Sequence, residues 1–216
     1  MKKAIFTCNI GGYDNDPIVP ALNKDWTKIL LSDVEPPKHN FDEFILLDKT
    51  DRPDLLSKQV KWQPHLFLPD FDLYCWYDSN MRVIRELPSK PFRILHPRRK
   101  TVKQEVEACI KLNHRWSKDV LEDQYNFMLE NNFKDTSPLF LNGFHCRENN
   151  DIDKLIGDEV VNILNNFTTR DQIAFPYILE KLNYKYGRDV IKGIPFFNTY
   201  IRMLPHKITN PPIYGS

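Results

Sequence analysis

The sequence predicts an α/β fold, with one central, mostly parallel mixed sheet of about six strands flanked by helices. Three observations predict it. Short apolar runs without helical period alternate with longer segments whose apolar residues recur every three or four positions. Residues 73–77 are apolar or aromatic throughout, as suits a strand buried on both faces. That run leads straight into Asp78-Ser79-Asn80, and open α/β sheets hold their ligands at the carboxyl ends of strands.

Taken in order, residues 4–10 read as the first strand, stopped by Gly11-Gly12 and Tyr13-Asp14-Asn15. Paired glycines let a ligand approach the backbone closely, but no G-x-G-x-x-G is present, so a dinucleotide fingerprint is absent. Residues 26–31 and 43–47 are the next strands, with proline-rich loops between them, and residues 54–61 form a short helix before the central strand. Residues 93–95 make another strand, ending in His96-Pro97-Arg98-Arg99-Lys100. Thr101-Val102-Lys103-Gln104 is a capping box for a helix with Val102, Val106, Cys109 and Ile110 on one face.

A second helix is expected over residues 118–131 and a strand over 139–146. Asn150-Asp151 caps a helix whose Ile152, Ile156, Val160 and Ile163 form one stripe. Thr169-Arg170-Asp171-Gln172 reads as a capping box opening a helix that ends near Leu182. Residues 200–204 are a last strand before Pro205-His206-Lys207. The proline-rich residues 211–216 read as a linker, so residues 1–210 are expected to form one domain, with room for further domains in a longer chain.

Composition narrows the function classes. The 216 residues suffice for one full core, and 41% hydrophobic with 27% charged residues is ordinary for a globular protein. A net charge of +1 gives no support for bulk nucleic-acid binding. No apolar run approaches the ~20 residues needed to span a bilayer, and the amino terminus lacks the apolar core of a signal peptide. Cys8, Cys75, Cys109 and Cys146 have no metal-ligand spacing and read as reduced core residues, so a cytoplasmic setting is expected.

Four polar clusters fall at strand or helix ends: residues 9–14, 78–80 and 170–172, and His206-Lys207. The chain has no nucleophile elbow, no Walker loop and no cysteine–histidine zinc pattern. Asp78 and Asn80 stand two apart, so a curling chain can aim both side chains at one hard cation and the phosphates it carries; the alternative is a simple Asx turn. Oxygens plus one imidazole suit manganese or magnesium.

Four elements occur in sequence: Lys61-x-x-Pro64-His65-x-Phe67-Leu68-Pro69, Trp76-Tyr77-Asp78-Ser79-Asn80, His96-Pro97-x-Arg99 with Glu105, and Arg170-Asp171-Gln172-x-x-Phe175. Together they resemble a family of glycosyltransferase-like domains in plant, bacterial and large-virus proteins, including chlorella-virus enzymes that build capsid glycans. The resemblance covers residues 6–178. It implies a GT-A fold with an Asp-x-Asp-like metal motif, in which Asn80 stands where a second acidic residue would be. The layout is also similar to glycogenin-like retaining transferases, which carry an Asn-x-Gly-type strand (compare Leu141-Asn142-Gly143-Phe144), an Asp-Gln pair and a late histidine.

The resemblance implies transfer of a hexose from a nucleotide sugar, expected to be a UDP-sugar, to a hydroxyl of a glycan or glycoprotein acceptor. For a viral protein, that transfer would take place in the host cytoplasm. Asp78, Asn80 and His206 would hold Mn2+ or Mg2+. Thr7, Asn9 and Tyr13 would line the base and ribose pocket, and Lys61 and Lys207 would face the phosphates. Asp171 and Gln172 would touch the reacting sugar or merely cap their helix. Arg98, Arg99 and Lys100 would hold a diphosphate or an acidic acceptor, or form a solvated run. His96 and Asn142 are further candidates on the acceptor side. The alternatives are a non-catalytic nucleotide- or carbohydrate-binding module and a sugar nucleotidyltransferase.

Overall fold

A computed structural model describes residues 1–12, 17–36, 39–112, 116–185, 190–191 and 199–204. Its centre is β1 (Lys3–Asn9), which pairs in parallel with β2 (Thr27–Ser32) on one side and β4 (Leu73–Tyr77) on the other. The sheet continues through β3 (Glu43–Leu46), parallel to β2, and β7 (Phe144–Glu148), antiparallel to β4. The order β3-β2-β1-β4-β7 makes a mixed, mostly parallel sheet of five strands, one fewer than the composition of strand-like runs suggests.

Alternation along β1 sorts its side chains onto two faces. Ala4, Phe6 and Cys8 join Ile29, Leu31, Tyr74 and Trp76 under α1 (Pro53–Trp62), meeting its Val60. Ile5 faces the other way, with Leu30, Cys75, Tyr77, Phe144 and Cys146, onto Trp26, Phe41 and Phe92. Each such fully buried side chain contributes about 1.5–3 kcal/mol of transfer free energy. All four cysteines are buried free thiols.

A third apolar cluster belongs to the helices: α3 (Val102–Lys111), α4 (Lys118–Glu130), α5 (Asp151–Asn166) and α6 (Asp171–Lys181), with Trp62 from the end of α1. Gly157 lets α5 come close to that end, since a Cβ there would collide with the Trp62 carbonyl. A single-turn helix, α2 (Pro64–Phe67), follows α1. Among the described residues, no helix is long and apolar enough to cross a membrane.

Several boundaries differ from the sequence reading, for physical reasons. The expected strand over 139–146 begins only at Phe144. Phe140 bridges Leu95, and the Asn142-Gly143 segment turns so that the Gly143 carbonyl accepts from the Asp78 N–H. The strand expected at 93–95 is β6 (Arg93–Ile94), which pairs with β8 (Val190–Ile191), outside the five-stranded sheet. The last strand, β9 (Ile201–Met203), pairs with β5 (Met81–Val83) instead of extending the central sheet.

The caps at Thr101 and Asn150 form as read, accepting from the N–H groups of Gln104 and Asp153. The one at Thr169 does not. Arg170 occupies the N-cap without a side-chain bond, because Gln172 turns to the Phe140 carbonyl.

Candidate active site

Spacing within α1 creates the first half of the site. Lys58 and Lys61 are three apart and therefore share a face. That face looks toward the carboxyl ends of β1 and β4, where both lysines line a cavity of about 510 Å³ with Asn9, Trp76, Asp78 and Arg170. Lys61 is 2% exposed, and its ammonium lies 2.6 Å from Asp171 Oδ2 and 3.7 Å from Asp78 Oδ1. Three of the residues singled out in the sequence, 61, 78 and 171, therefore meet at one ammonium.

The two carboxylates differ sharply. Asp171, at the first position of α6, is 4% exposed. It accepts from the Trp62 indole N–H at 3.0 Å and pairs with Lys58 at 3.6 Å. Burial by itself would raise its pKa, but Lys58, Lys61 and then Arg170 outweigh burial and hold the carboxyl well below the usual carboxylate range. Burial in turn lowers the Lys58 pKa, with Asp171 opposing it. Asp171 is engaged on both oxygens, and it stands in the wall behind the cavity lining.

Asp78 is 41% exposed and lies on the cavity surface. Its Oδ1 accepts from the Trp76 indole N–H at 2.8 Å, so the side chain does not close an Asx turn. The turn is closed by the main chain, where the Met81 N–H donates to the Asp78 carbonyl at 2.8 Å. The other oxygen, Oδ2, packs against Gly143, where an added Cβ would lie 2.7 Å from it and 2.5 Å from Met81 Cε, so the missing side chain is what lets the carboxylate sit there.

The half-exposed hard oxygen on the cavity surface is the feature that suits a divalent cation at Asp78. Asn80 is buried, and its amide nitrogen donates to the Leu204 carbonyl at 3.3 Å. The Leu204 N–H returns a bond to the Asn80 carbonyl. The chain two residues before His206 is thus anchored beside Asp78-Ser79-Asn80. His206, Lys207 and Tyr13 themselves lie outside the described residues, as do residues 211–216. Among the described residues, no group of three or more His, Cys, Asp or Glu side chains could hold a metal.

Asn9 lines this cavity and also a second one of about 810 Å³, on the β1–β2–β3 side, with Gly12, Ser32, Asp33, His39 and Phe41. Gly11 and Gly12 both have φ of +66°, a conformation that favours glycine, and they turn the chain between the two cavities. The Gly11 N–H donates to both oxygens of Asp33 at 3.1 Å.

Other candidates fall elsewhere. Thr7 is fully buried inside β1 and lines neither cavity. Gln172 is buried against Phe140 rather than facing the cavity. Asn142 is buried and donates to the Asp171 carbonyl at 3.1 Å, which fixes the start of α6. The nitrogen Nδ1 of His96 accepts from the N–H groups of Arg98 and Arg99, and burial followed by Arg99 pushes its pKa down to about 4.

Sequence reasoning missed Lys58, whose three-residue spacing from Lys61 was the available signal, and Asp33. It also missed the two indole donors, Trp62 and Trp76, whose roles exist only after tertiary packing. No protein-family model matches this chain, and no curated protein sequence matches it.

Proposed function

We propose that this protein is a metal-dependent glycosyltransferase of GT-A type, moving a hexose from a nucleotide sugar, a UDP-sugar in the first instance, to a glycan hydroxyl. The observation that carries the reading is the half-exposed Asp78 carboxylate at the carboxyl end of β4. It has a buried ammonium 3.7 Å away, in a cavity that adjoins a second, larger one at Asn9. The strand order β3-β2-β1-β4 with an antiparallel β7 also supports it, because the crevice at the ends of β1 and β4 is where such sheets bind ligands.

The nucleoside would occupy the larger cavity, with Asn9, Ser32 and Asp33 offering polar partners and Phe41 and Tyr13 apolar ones. Its diphosphate would cross Asn9 toward Lys61 and Asp78, leaving the sugar in the smaller cavity. Asp78 and Asn80, with His206, would hold Mn2+ or Mg2+, which when bound neutralises a leaving diphosphate. The Lys61 ammonium supplies a fixed positive charge beside the same phosphates, and Lys207 another from the end of the chain.

Asp171 acts through Lys61, keeping the ammonium in place. It is a positioning residue, because Lys61, Lys58 and Trp62 already occupy its carboxylate. Gln172 similarly positions Phe140.

Hydrolysis or transfer measured over a panel of UDP-, GDP- and CMP-sugars, with manganese and with EDTA, tests the reading. The expected result is slow, manganese-dependent release of UDP that Asp78→Ala abolishes while the melting temperature is kept. Nucleotide binding without turnover across the panel would instead favour the binding-module alternative.

A further inference from the structure

We infer that the wall of the smaller cavity formed by α3 and the start of α6 is an acceptor subsite for a negatively charged saccharide, one bearing a carboxylate, phosphate or sulfate. This deepens the glycosyltransferase reading and rests on it. The observation is a pair of arginines organised by one buried acid. Glu105 is fully buried in α3, and its Oε1 accepts from both Nε and Nη2 of Arg170, at 2.9 and 2.6 Å. Its Oε2 forms an ion pair with Nε of Arg99.

One carboxylate between two guanidiniums gives this trio a net formal charge of plus one, with Asp171 as a further anion beside Arg170. His96 does not change that balance at neutral pH. Its ring nitrogen Nε2 lies 2.9 Å from Nη2 of Arg99, and burial disfavours its charged form. Both arginines line the cavity, at 27% and 31% side-chain exposure, with Nε of Arg99 and Nε and Nη2 of Arg170 held by Glu105.

A guanidinium whose rotamer is already fixed loses little entropy on binding an anion, and its planar fork suits carboxylate, phosphate and sulfate oxygens. The surroundings suit a sugar ring as well. Trp116 lines the same wall, with the Arg170 guanidinium 5.9 Å from its ring centre, and Ala108 and Leu112 add apolar surface. An aromatic face with apolar neighbours beside fixed polar groups is a common lining of small-ligand sites.

The test uses the full chain at saturating UDP and manganese, so that the phosphate-binding end is filled. Glucuronate, glucose 6-phosphate, glucose 6-sulfate and glucose are titrated by calorimetry or NMR, and the anionic probes are also titrated without UDP. The expected result is at least tenfold tighter binding of one or more anionic probes than of glucose, without displacement of UDP. Arg99→Gln should reduce that preference at least fivefold while leaving UDP affinity unchanged. Arg99→Lys, which keeps the charge and the partner for Glu105, should retain part of it and guards against loss of folding.

Equal affinity for glucose and all anionic probes, with UDP bound, overturns this inference alone. Displacement of UDP by the anionic sugars also overturns it, since the anion would then occupy the diphosphate site. Failure of the wild type to bind UDP at all overturns the donor-site reading. In that case an anion preference that survives Arg99→Gln, measured without UDP, overturns the subsite too.

Discussion

Two carboxylates flank the Lys61 ammonium from opposite sides, and they live under opposite conditions. Asp171 lies 2.6 Å away at 4% exposure, with an indole N–H and a second lysine completing its shell. Asp78 lies 3.7 Å away at 41% exposure, with an indole donor from Trp76, two residues earlier in the chain, and with Oδ2 packed on Gly143. The same residue type on the same cation thus serves two purposes. The buried acid holds the lysine in the wall; the half-exposed acid faces the cavity. Burial and the number of donors already satisfied distinguish structure from chemistry here, and charge alone does not.

The comparison breaks most visibly in stability. Asp171→Ala leaves the buried Lys61 charge without its closest partner, and we expect a loss of about 3–5 kcal/mol in urea denaturation. Asp78→Ala should cost under about 1 kcal/mol, because its pairing is solvent-screened. Replacing both partners, Lys61→Met with Asp171→Leu, should recover most of the loss while nucleotide affinity stays impaired. Similar losses for Asp78→Ala and Asp171→Ala would contradict the division of roles.

Acid titration sharpens the same contrast. Asp171 has a folded-state pKa held below its unfolded value near 4, so its contribution is complete above about pH 4 and is lost as pH falls through the folded value. Glu105 and Glu180 are lowered in the same sense and contribute in the same window. His96 and His145 are also lowered, but for a histidine this means that the unfolded chain takes up the proton first. Their effect is a loss of stability as pH falls below about 6.5. Asp171→Asn should flatten the slope below pH 4 and leave the slope between 6.5 and 5 as in the wild type. An unchanged slope below pH 4 would mean that Asp171 is not the engaged acid.

A smaller effect should follow from adding a Cβ against Asp78. A Cβ at Gly143 would meet Met81 Cε at 2.5 Å and Asp78 Oδ2 at 2.7 Å, and both of these are side-chain ends that can move. Gly143→Ala should cost about 1 kcal/mol of stability by overpacking, yet lower turnover at least tenfold, because Asp78 must turn away. Smallest of all is Lys58→Gln, expected to cost well under 1 kcal/mol, since this lysine is 24% exposed and Lys61 remains on Asp171.

The legibility of the chain followed the range of its interactions. The four parallel strands and the helices α1 and α3 to α6 were readable, because apolar runs, periodicity and caps at Thr101 and Asn150 are local signals. The pairings of β5 with β9 and of β6 with β8 were not, because strands of two or three residues exist only through partners about a hundred residues away. Gln172 illustrates the same limit. Its spacing from Thr169 suggested a cap, and a tertiary contact with Phe140 took it instead.

In the site, Asp78, Lys61 and Asp171 stood out as residue types at element ends, and tertiary packing then separated them into ligand-facing and wall-bound groups. Trp76 stood in the motif with Asp78, but the donor roles of Trp62 and Trp76 were not legible, because an indole donor is recognisable only when its acceptor is known.

Calorimetric titration of UDP into wild type and Asp78→Ala, each with manganese and with EDTA, tests the central claim most directly. The account predicts manganese-dependent binding to the wild type. It also predicts at least a tenfold loss of affinity on removing either the metal or the Asp78 carboxylate, no further loss when both are removed, and little change in melting temperature for the unliganded mutant. UDP affinity that is equal for both proteins, with or without manganese, would contradict the assignment of Asp78 to the donor site.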